Sequence, residues 1–336
     1  MTESELLEAA AAGDERAYAE LIEPHRRRLH AHCYRMLGSA HDAEDAVQET
    51  LLRAWRGLSS FRGRSSLRSW LYTIATNVCL RAIERRPGRV LPVDYGPPSD
   101  PHEPLGEPLV ESTWIEPYPD ERLGLDDGLA GPEARYEQRE SVELAFIAAL
   151  QHLPARQRAV LILRDVLGFS GAEVAEALET TPASVYSALQ RAHQSVDHRL
   201  PELSQQATLR SLGDARLREI VDRYVEAWER HDVDALAAML TEGATLAMPP
   251  TASWYGGRDA IATGLRRGPL DGRRQWRLTP TRASGQLAVM AYLWDGAGGR
   301  FAPHHLAVLT LRGALIDEID AFHDPPAPAP FRPSGG

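Results

Sequence analysis

Residues 168–199 read GFSGAEVAEALETTPASVYSALQRAHQSVDHR, a stretch that carries the start and stop signals of two helices joined by a tight turn. Ser170 stands three residues before Glu173, the spacing at which a hydroxyl caps a free backbone N–H while the carboxylate reaches back to the cap. Val174, Ala175 and Leu178 follow at helical intervals. Glu179-Thr180-Thr181 makes the turn, Thr181 serves as a second N-cap, and Pro182 takes the first helical position, where a missing N–H costs nothing. The second helix turns Val185, Leu189, Ala192 and Val196 toward the first and leaves Ser184, Ser187, Gln190, Arg191 and Gln194 outward. Together with Thr181, these outward side chains can reach base edges or phosphates in a major groove. Taken alone, the segment also fits an ordinary pair of packed helices.

The lead-in weighs against that plainer reading. Leu153-Pro154-Ala155-Arg156-Gln157-Arg158-Ala159-Val160-Leu161-Ile162-Leu163-Arg164 resembles the approach to region 4 of sigma-70 factors, and VYSALQRAH resembles the recognition helix of their extracytoplasmic-function (ECF) branch. The resemblance implies that a second helical block, sigma region 2, lies N-terminal to it.

The chain as a whole sets the bounds. Its 336 residues are enough for two or three domains, each with its own core. A net charge of −10 is unusual for a nucleic-acid binder, but local patches rather than the total decide phosphate contact. All 37 basic residues are Arg, a bias that fits a GC-rich coding sequence. Cys33 and Cys79 are the only cysteines, and there is no CxxC or His cluster at ligand spacing, so no metal site and no disulfide framework is expected. Both thiols are expected to be reduced and buried. The start, MTESELLEAA, is acidic, and no run of apolar residues is long enough to span a bilayer. A soluble, cytoplasmic protein with no membrane contact is the expectation.

In chain order, Thr2 and Glu5 form a capping pair for a first short helix that Gly13 ends, and Asp14 caps the next. The block His41–Trp55 puts Ala46, Val47, Leu51, Ala54 and Trp55 on one side, with Asp42, Asp45, Gln48, Glu49 and Leu52 near another. By itself this could be a solvated acidic face on a core helix. It resembles sigma region 2.2, and the resemblance implies that these five residues grip a coiled coil of the RNA polymerase β′ subunit, with β as a further contact.

Phe61 to Arg86 is an Arg- and Ser-rich loop running into an amphipathic helix whose Leu71, Ile74, Val78 and Ile83 can pack inward. Arg62, Arg64, Arg68, Arg81 and Arg85 remain for phosphates, and Ser65, Ser66 and Asn77 for hydrogen bonds to a base. The block resembles ECF regions 2.3 and 2.4, which implies capture of an unstacked base of the minus-ten promoter element. Trp70 and Tyr72 could be stacking platforms or ordinary core.

Between Val90 and Glu137, Pro92, Pro97, Pro98, Pro101, Pro104, Pro108, Pro117, Pro119 and Pro132 break regular structure, and acidic residues outnumber arginines. The default reading is an extended tether. Trp114-Ile115-Glu116-Pro117-Tyr118-Pro119-Asp120 is too apolar for a mere spacer and could dock on polymerase or on another part of this chain. In the recognition helix that follows, Tyr186 and Ala188 stand where many ECF factors carry basic residues, which leaves the minus-thirty-five sequence open.

A chain of this kind could end near Leu203, yet more than a hundred residues follow. Leu217, Ile220, Val221, Tyr224, Val225 and Trp228 form a helical stripe, residues 233–240 a second short helix, and five β-rich runs come after, at 243–250, 275–279, 287–294, 304–311 and 315–322. Helices first and an antiparallel meander after predict an α+β domain. The order resembles the SnoaL-like polyketide-cyclase family, a cone-shaped sheet around a pocket. Tyr255, Trp276, Tyr292, His304 and Asp320 are the pocket candidates, with Trp254, Trp294, His305 and His323 nearby in the sequence pattern. Strand alternation puts His304 and His305 on opposite faces, so that at most one points inward. No Asp-Arg-Asp or His-Asp set is complete, and no catalytic residue is assigned.

The expected architecture is therefore multidomain: two all-α sigma domains followed by an α+β SnoaL-like cone. The divisions are 1–88 for region 2, 89–137 for the linker, 138–203 for the region 4 helix-turn-helix, 204–324 for the SnoaL-like domain and 325–336 for a Pro-rich tail. The expected function is transcription initiation without enzymatic chemistry and without a cofactor, through core RNA polymerase and promoter DNA. The C-terminal domain would act in cis through contact with region 2, region 4 or the linker. Two alternatives stay open: a SnoaL-like enzyme or ligand binder with a DNA-binding front, and a helix-turn-helix regulator that works without polymerase.

Overall fold

The computed structural model describes residues 1–61, 63, 65–85, 88–109, 114–123, 139–201 and 203–323. They fall into two compact units, Met1–Gly88 with Glu121–Leu200, and Arg89–Asp120 with Pro201–Gly336. Arg62, Arg64 and the Pro-rich tail 325–336 lie outside the described residues.

The first unit opens with α1 (Glu3–Ala11), started by the expected Thr2–Glu5 capping box. In α2 (Glu15–Leu37) the Asp14 carboxylate accepts from the N–H groups of Arg16 and Ala17, and Gly38 ends the helix in the left-handed conformation that favours glycine. Ser39 caps α3 (Ala40–Gly57), and Ser66 caps α4 (Leu67–Ile83). The stripe Leu29, Cys33, Met36, Val47, Leu51, Leu71, Ala75, Val78 and Cys79 is buried where these helices meet. Both cysteines are free and buried.

Region 4 of the same unit contains α6 (Leu144–Gln151), α7 (Ala155–Leu161), α8 (Gly171–Ala177) and α9 (Pro182–Asp197), α5 (Pro92–Tyr95) being a single turn in the preceding linker. The Ser170–Glu173 capping box starts α8, and Thr181 with Pro182 starts α9, as the local chemistry predicts. Glu179 takes a positive φ of 50° in the turn between them. Val174, Ala175, Leu178, Val185, Ala192 and Val196 are buried.

Arg158, from the lead-in motif, is only 2% exposed. Its guanidinium donates to the Met36 carbonyl at the end of α2, to Gln151 Oε1 at 2.6 Å and to the Gln151 carbonyl at 3.0 Å. Arg35 likewise donates to Ser141 Oγ at 2.6 Å. A buried cation is tolerable when several carbonyls surround it, and here those carbonyls come from both helical blocks of the unit.

In the second unit, α10 (Gln205–Glu229) bends at Gly213 and leads into α11 (Val233–Ala238). The strands are β1 (Leu240–Ala247), β2 (Trp254–Gly256), β3 (Trp276–Ala283), β4 (Gln286–Asp295), β5 (Arg300–Arg312) and β6 (Leu315–Phe322), with α12 (Arg258–Arg267) after β2. The sheet order is β2-β1-β6-β5-β4-β3. This corrects the antiparallel meander, because β6 returns to lie parallel to β1 while every other pair is antiparallel. A parallel pair needs a long crossover, and here everything between β1 and β6 supplies it. Leu217, Ile220, Tyr224, Trp228, Leu246, Tyr255, Leu265, Trp276, Val289, Leu309 and Ile319 belong to one core on the helix-facing side of the sheet.

Residues 89–120 pack with this unit. Ser99 N donates to the Trp254 carbonyl at 2.7 Å, Leu109 N to that of Pro250 at 2.9 Å, and Ser284 N to that of Tyr118 at 2.7 Å. Trp114 Nε1 reaches the Pro250 carbonyl at 2.8 Å, and Trp254 Nε1 that of Gly96 at 2.8 Å. Trp114, Ile115 and Tyr118 are buried.

Candidate nucleic-acid interface

On α3, the inward side is Ala43, Ala46, Val47, Thr50, Leu51 and Ala54. Asp45, Gln48 and Leu52 are exposed on the other side, Leu52 by 51%, and Asp42 and Glu49 are half-buried at its edge. Spacings of three and four residues put Asp45, Gln48, Glu49 and Leu52 on one stripe. Glu49 is steadied by Arg53 at 2.6 Å.

The candidate minus-ten residues divide into two groups on α4 and its leading loop. Asn77 and Arg81 stand four residues apart on one side of α4, Asn77 half-buried and Arg81 exposed, and Arg85 is exposed in the turn that follows the helix. Ser65 is half-buried, and Ser66 Oγ is already engaged, accepting the α4 cap bond from Ser69 N at 3.0 Å. Arg68 is turned toward region 4: it donates to the Leu167 carbonyl at 2.7 Å and lies 4.5 Å from the centre of the Phe169 ring. Ser69 Oγ donates to Glu173 Oε1 at 3.2 Å. Glu173 titrates below the usual carboxylate range, first because the Ser170 N–H donates to it. Trp70 is half-buried against Phe61, ring centres 5.0 Å apart, and Tyr72 is buried, so neither is displayed as an open platform.

On α9, Ser184, Ser187, Gln190 and Arg191 are all exposed. Thr181 is held by its cap, its Oγ1 accepting from Ser184 N at 3.2 Å. Tyr186 stands 56% exposed between them and was not among the expected contacts. The Arg164 guanidinium lies 5.9 Å from its ring centre. The exposure of Tyr186 accords with its place off the inward stripe of Val185, Ala192 and Val196.

In the C-terminal unit, the five pocket candidates do not share one wall. Tyr255 and Trp276 lie in the helix-facing core. Tyr292 and Asp320 alternate with core members of β4 and β6 and so face the other side. Asp320 titrates well above its ordinary value because of burial first and of Glu318 and Asp94 next.

His304 and His305 break the alternation rule. Ala291 pairs with His305 but Tyr292 pairs with Pro303, so His304 is an extra residue in β5 with no partner on β4. A bulge of this kind re-aims a side chain, and both imidazoles turn to the same side. Their Nδ1 atoms are 2.9 Å apart. His323, just after β6, brings its ring centre to 5.2 Å from that of His304 and 4.9 Å from that of His305. Burial lowers His304 to about 4, and lowers His305 and His323 as well.

Three family models match successive parts of the chain. Residues 21–87 match Sigma-70 region 2, residues 143–195 match Sigma-70 region 4, and residues 221–319 match the SnoaL-like domain. The chain is 45% identical over 306 residues to the ECF RNA polymerase sigma factor SigG of Mycobacterium tuberculosis, covering 90% of this chain and 80% of that protein. It is 30% identical over 191 residues to SigM of the same organism, covering 57% of this chain and 81% of that one. The crystal structure of the Mycobacterium tuberculosis extracytoplasmic function sigma factor SigJ shares its fold, with a TM-score of 0.57 at 23% identity over 91% of this chain and 96% of that one. Among the described residues, no helix is long and apolar enough to cross a membrane. With two sigma modules, a SnoaL-like domain behind them and an extended match to SigG, the chain belongs to the ECF sigma factors, non-enzymatic proteins that bind core RNA polymerase and promoter DNA.

Proposed function

We propose that this chain grips core polymerase through Asp42, Asp45, Gln48, Glu49 and Leu52, holds the minus-ten strand with Asn77, Arg81, Arg85 and the loop from Arg62 to Arg68, and reads the minus-thirty-five element with α9. We further propose that the C-terminal unit restrains this activity in cis. Transcription of this kind takes place in the cytoplasm, where core enzyme and promoters are.

The observation that carries the regulatory reading is the 2.7 Å hydrogen bond from Arg68 to the Leu167 carbonyl. Promoter elements centred about 25 base pairs apart are separated by roughly 85 Å at ~3.4 Å per pair. Two modules in direct hydrogen-bond contact do not reach both at once. The arrangement is a closed state, and binding to core enzyme must part regions 2 and 4. The chain that joins them is the linker, and its residues 89–120 are hydrogen-bonded to the SnoaL-like unit. Releasing that segment lengthens the free tether, so the C-terminal unit controls how easily the modules separate.

The test is a gel shift on promoter DNA, with and without core enzyme, followed by transcription in a purified system. The full chain is expected to shift promoter DNA only with core enzyme, and Asp45→Arg is expected to weaken the core complex at least tenfold. Trp114→Ala with Tyr118→Ala is expected to raise transcription. A shift of duplex DNA without core enzyme would favour a polymerase-independent regulator, and unchanged transcription in the linker variant would remove the cis-regulatory reading.

A further inference from the structure

We infer that His304, His305 and His323 form a binding site for one divalent transition-metal ion of the zinc type, with a fourth position open to water or a small ligand. One ring nitrogen from each of the three lies within 4.8 Å of the other two. Two nitrogens bound to the same tetrahedral zinc at ~2.0–2.1 Å stand roughly 3.4 Å apart. The 2.9 Å pair is tighter than that and the widest spacing looser, so small ring rotations bring all three to ligand distance. A donor set made only of imidazoles suits zinc, copper, nickel or cobalt rather than calcium or magnesium, which prefer oxygen.

The surroundings fit a ligand set better than ordinary packing. A buried histidine usually settles beside a carboxylate or a backbone group, but here His304 and His305 find each other, while Asp320 faces the opposite side of the sheet. An ion that takes both Nδ1 atoms displaces the proton between them to the far ring nitrogen of one imidazole, so binding needs no net proton release. The Trp276 ring packs beside both, 5.0 Å from that of His304 and 5.9 Å from that of His305. His305 is buried while His304 and His323 are half-buried, so the cluster is closed on one side and reachable from the other.

The site is also wired to the linker within the same unit. The backbone N–H of His323 donates to the Pro249 carbonyl at 2.7 Å, and the next carbonyl, Pro250, accepts from Leu109 and Trp114. An ion at His323 is thus one residue away from the segment that holds 89–120.

The test uses the full chain, stripped with a chelator and titrated with Co²⁺ alone, whose visible absorption is intense when four-coordinate. The expected result is one such ion per chain, displaced by Zn²⁺, with affinity reduced at least tenfold in both His304→Gln and His323→Gln. Both positions are half-exposed, and circular dichroism confirms that the variants remain folded. Absence of the intense absorption, or affinity unchanged in both variants, overturns the assignment. The readout is spectroscopic, so it stands or falls separately from the reading of the sigma modules.

Discussion

Arg68, on the helix that carries the candidate minus-ten residues Asn77 and Arg81, donates to the carbonyl of Leu167, 99 positions further along the chain and at the edge of the helix-turn-helix. The same guanidinium lies over Phe169, whose ring centre is 5.4 Å from that of Tyr72. One of the five N–H donors of this exposed guanidinium is thereby committed to region 4. In the proposed opening of the two modules this contact is released.

Phe169→Ala removes the aromatic face and leaves the Leu167 hydrogen bond alone. A stacked cation contributes about 0.5–2 kcal/mol, so the separated state should gain roughly 2- to 30-fold in population. Energy transfer between dyes at Glu84 and Gln194, both exposed, should fall in the variant without core enzyme. Equal transfer in variant and parent would mean that this contact does not set the closure.

His32 and His30 give the sigma unit an acid-sensitive stability. Burial holds His32 near 3 and His30 near 4, against 6.5 when unfolded. The folded values are depressed, so the stabilisation is complete above pH 6.5 and is lost as pH falls from there toward 4 and 3, because the unfolded chain takes up protons that the native one refuses. His32, fully buried and bonded to Thr76 Oγ1 at 2.9 Å, can contribute up to about 1.4 kcal/mol per pH unit in that window. Urea unfolding at pH 7 and pH 5 should show the loss, and His32→Gln should flatten it. A parent curve already flat over that range would contradict the assignment.

Gly264 faces the ring of Tyr255. A Cβ at that position would lie 2.2 Å from the ring edge, too close for α12 to keep its place on β2. Gly264→Ala is expected to cost about 1–3 kcal/mol in the stability of the C-terminal unit. Adding Tyr255→Ala should recover part of that loss, since the two changes share one contact. Thermal melts of the two single variants and the double variant measure the coupling, and simple additivity would show that the ring yields without cost.

The helix-turn-helix was decided by the sequence on its own. Ser170, Glu173, Thr181 and Pro182 act on backbone groups within three residues of themselves, and burial of Val185, Ala192 and Val196 follows from helical period alone. The acidic stripe of α3 was legible for the same reason, and so was the membership of the two sigma blocks. What lay outside local reach was decided only in three dimensions. The partner of Arg68 is 99 residues away, and the Pro250 carbonyl that holds Trp114 is 136 residues away. The histidine cluster needs a bulge at His304 and the return of β6 beside β5, neither of which a period-two pattern contains. Alternation assumes one residue opposite one residue, and where two strands of unequal count are paired that rule fails, because hydrogen-bond register between distant segments, rather than side-chain period, then sets the direction of each ring.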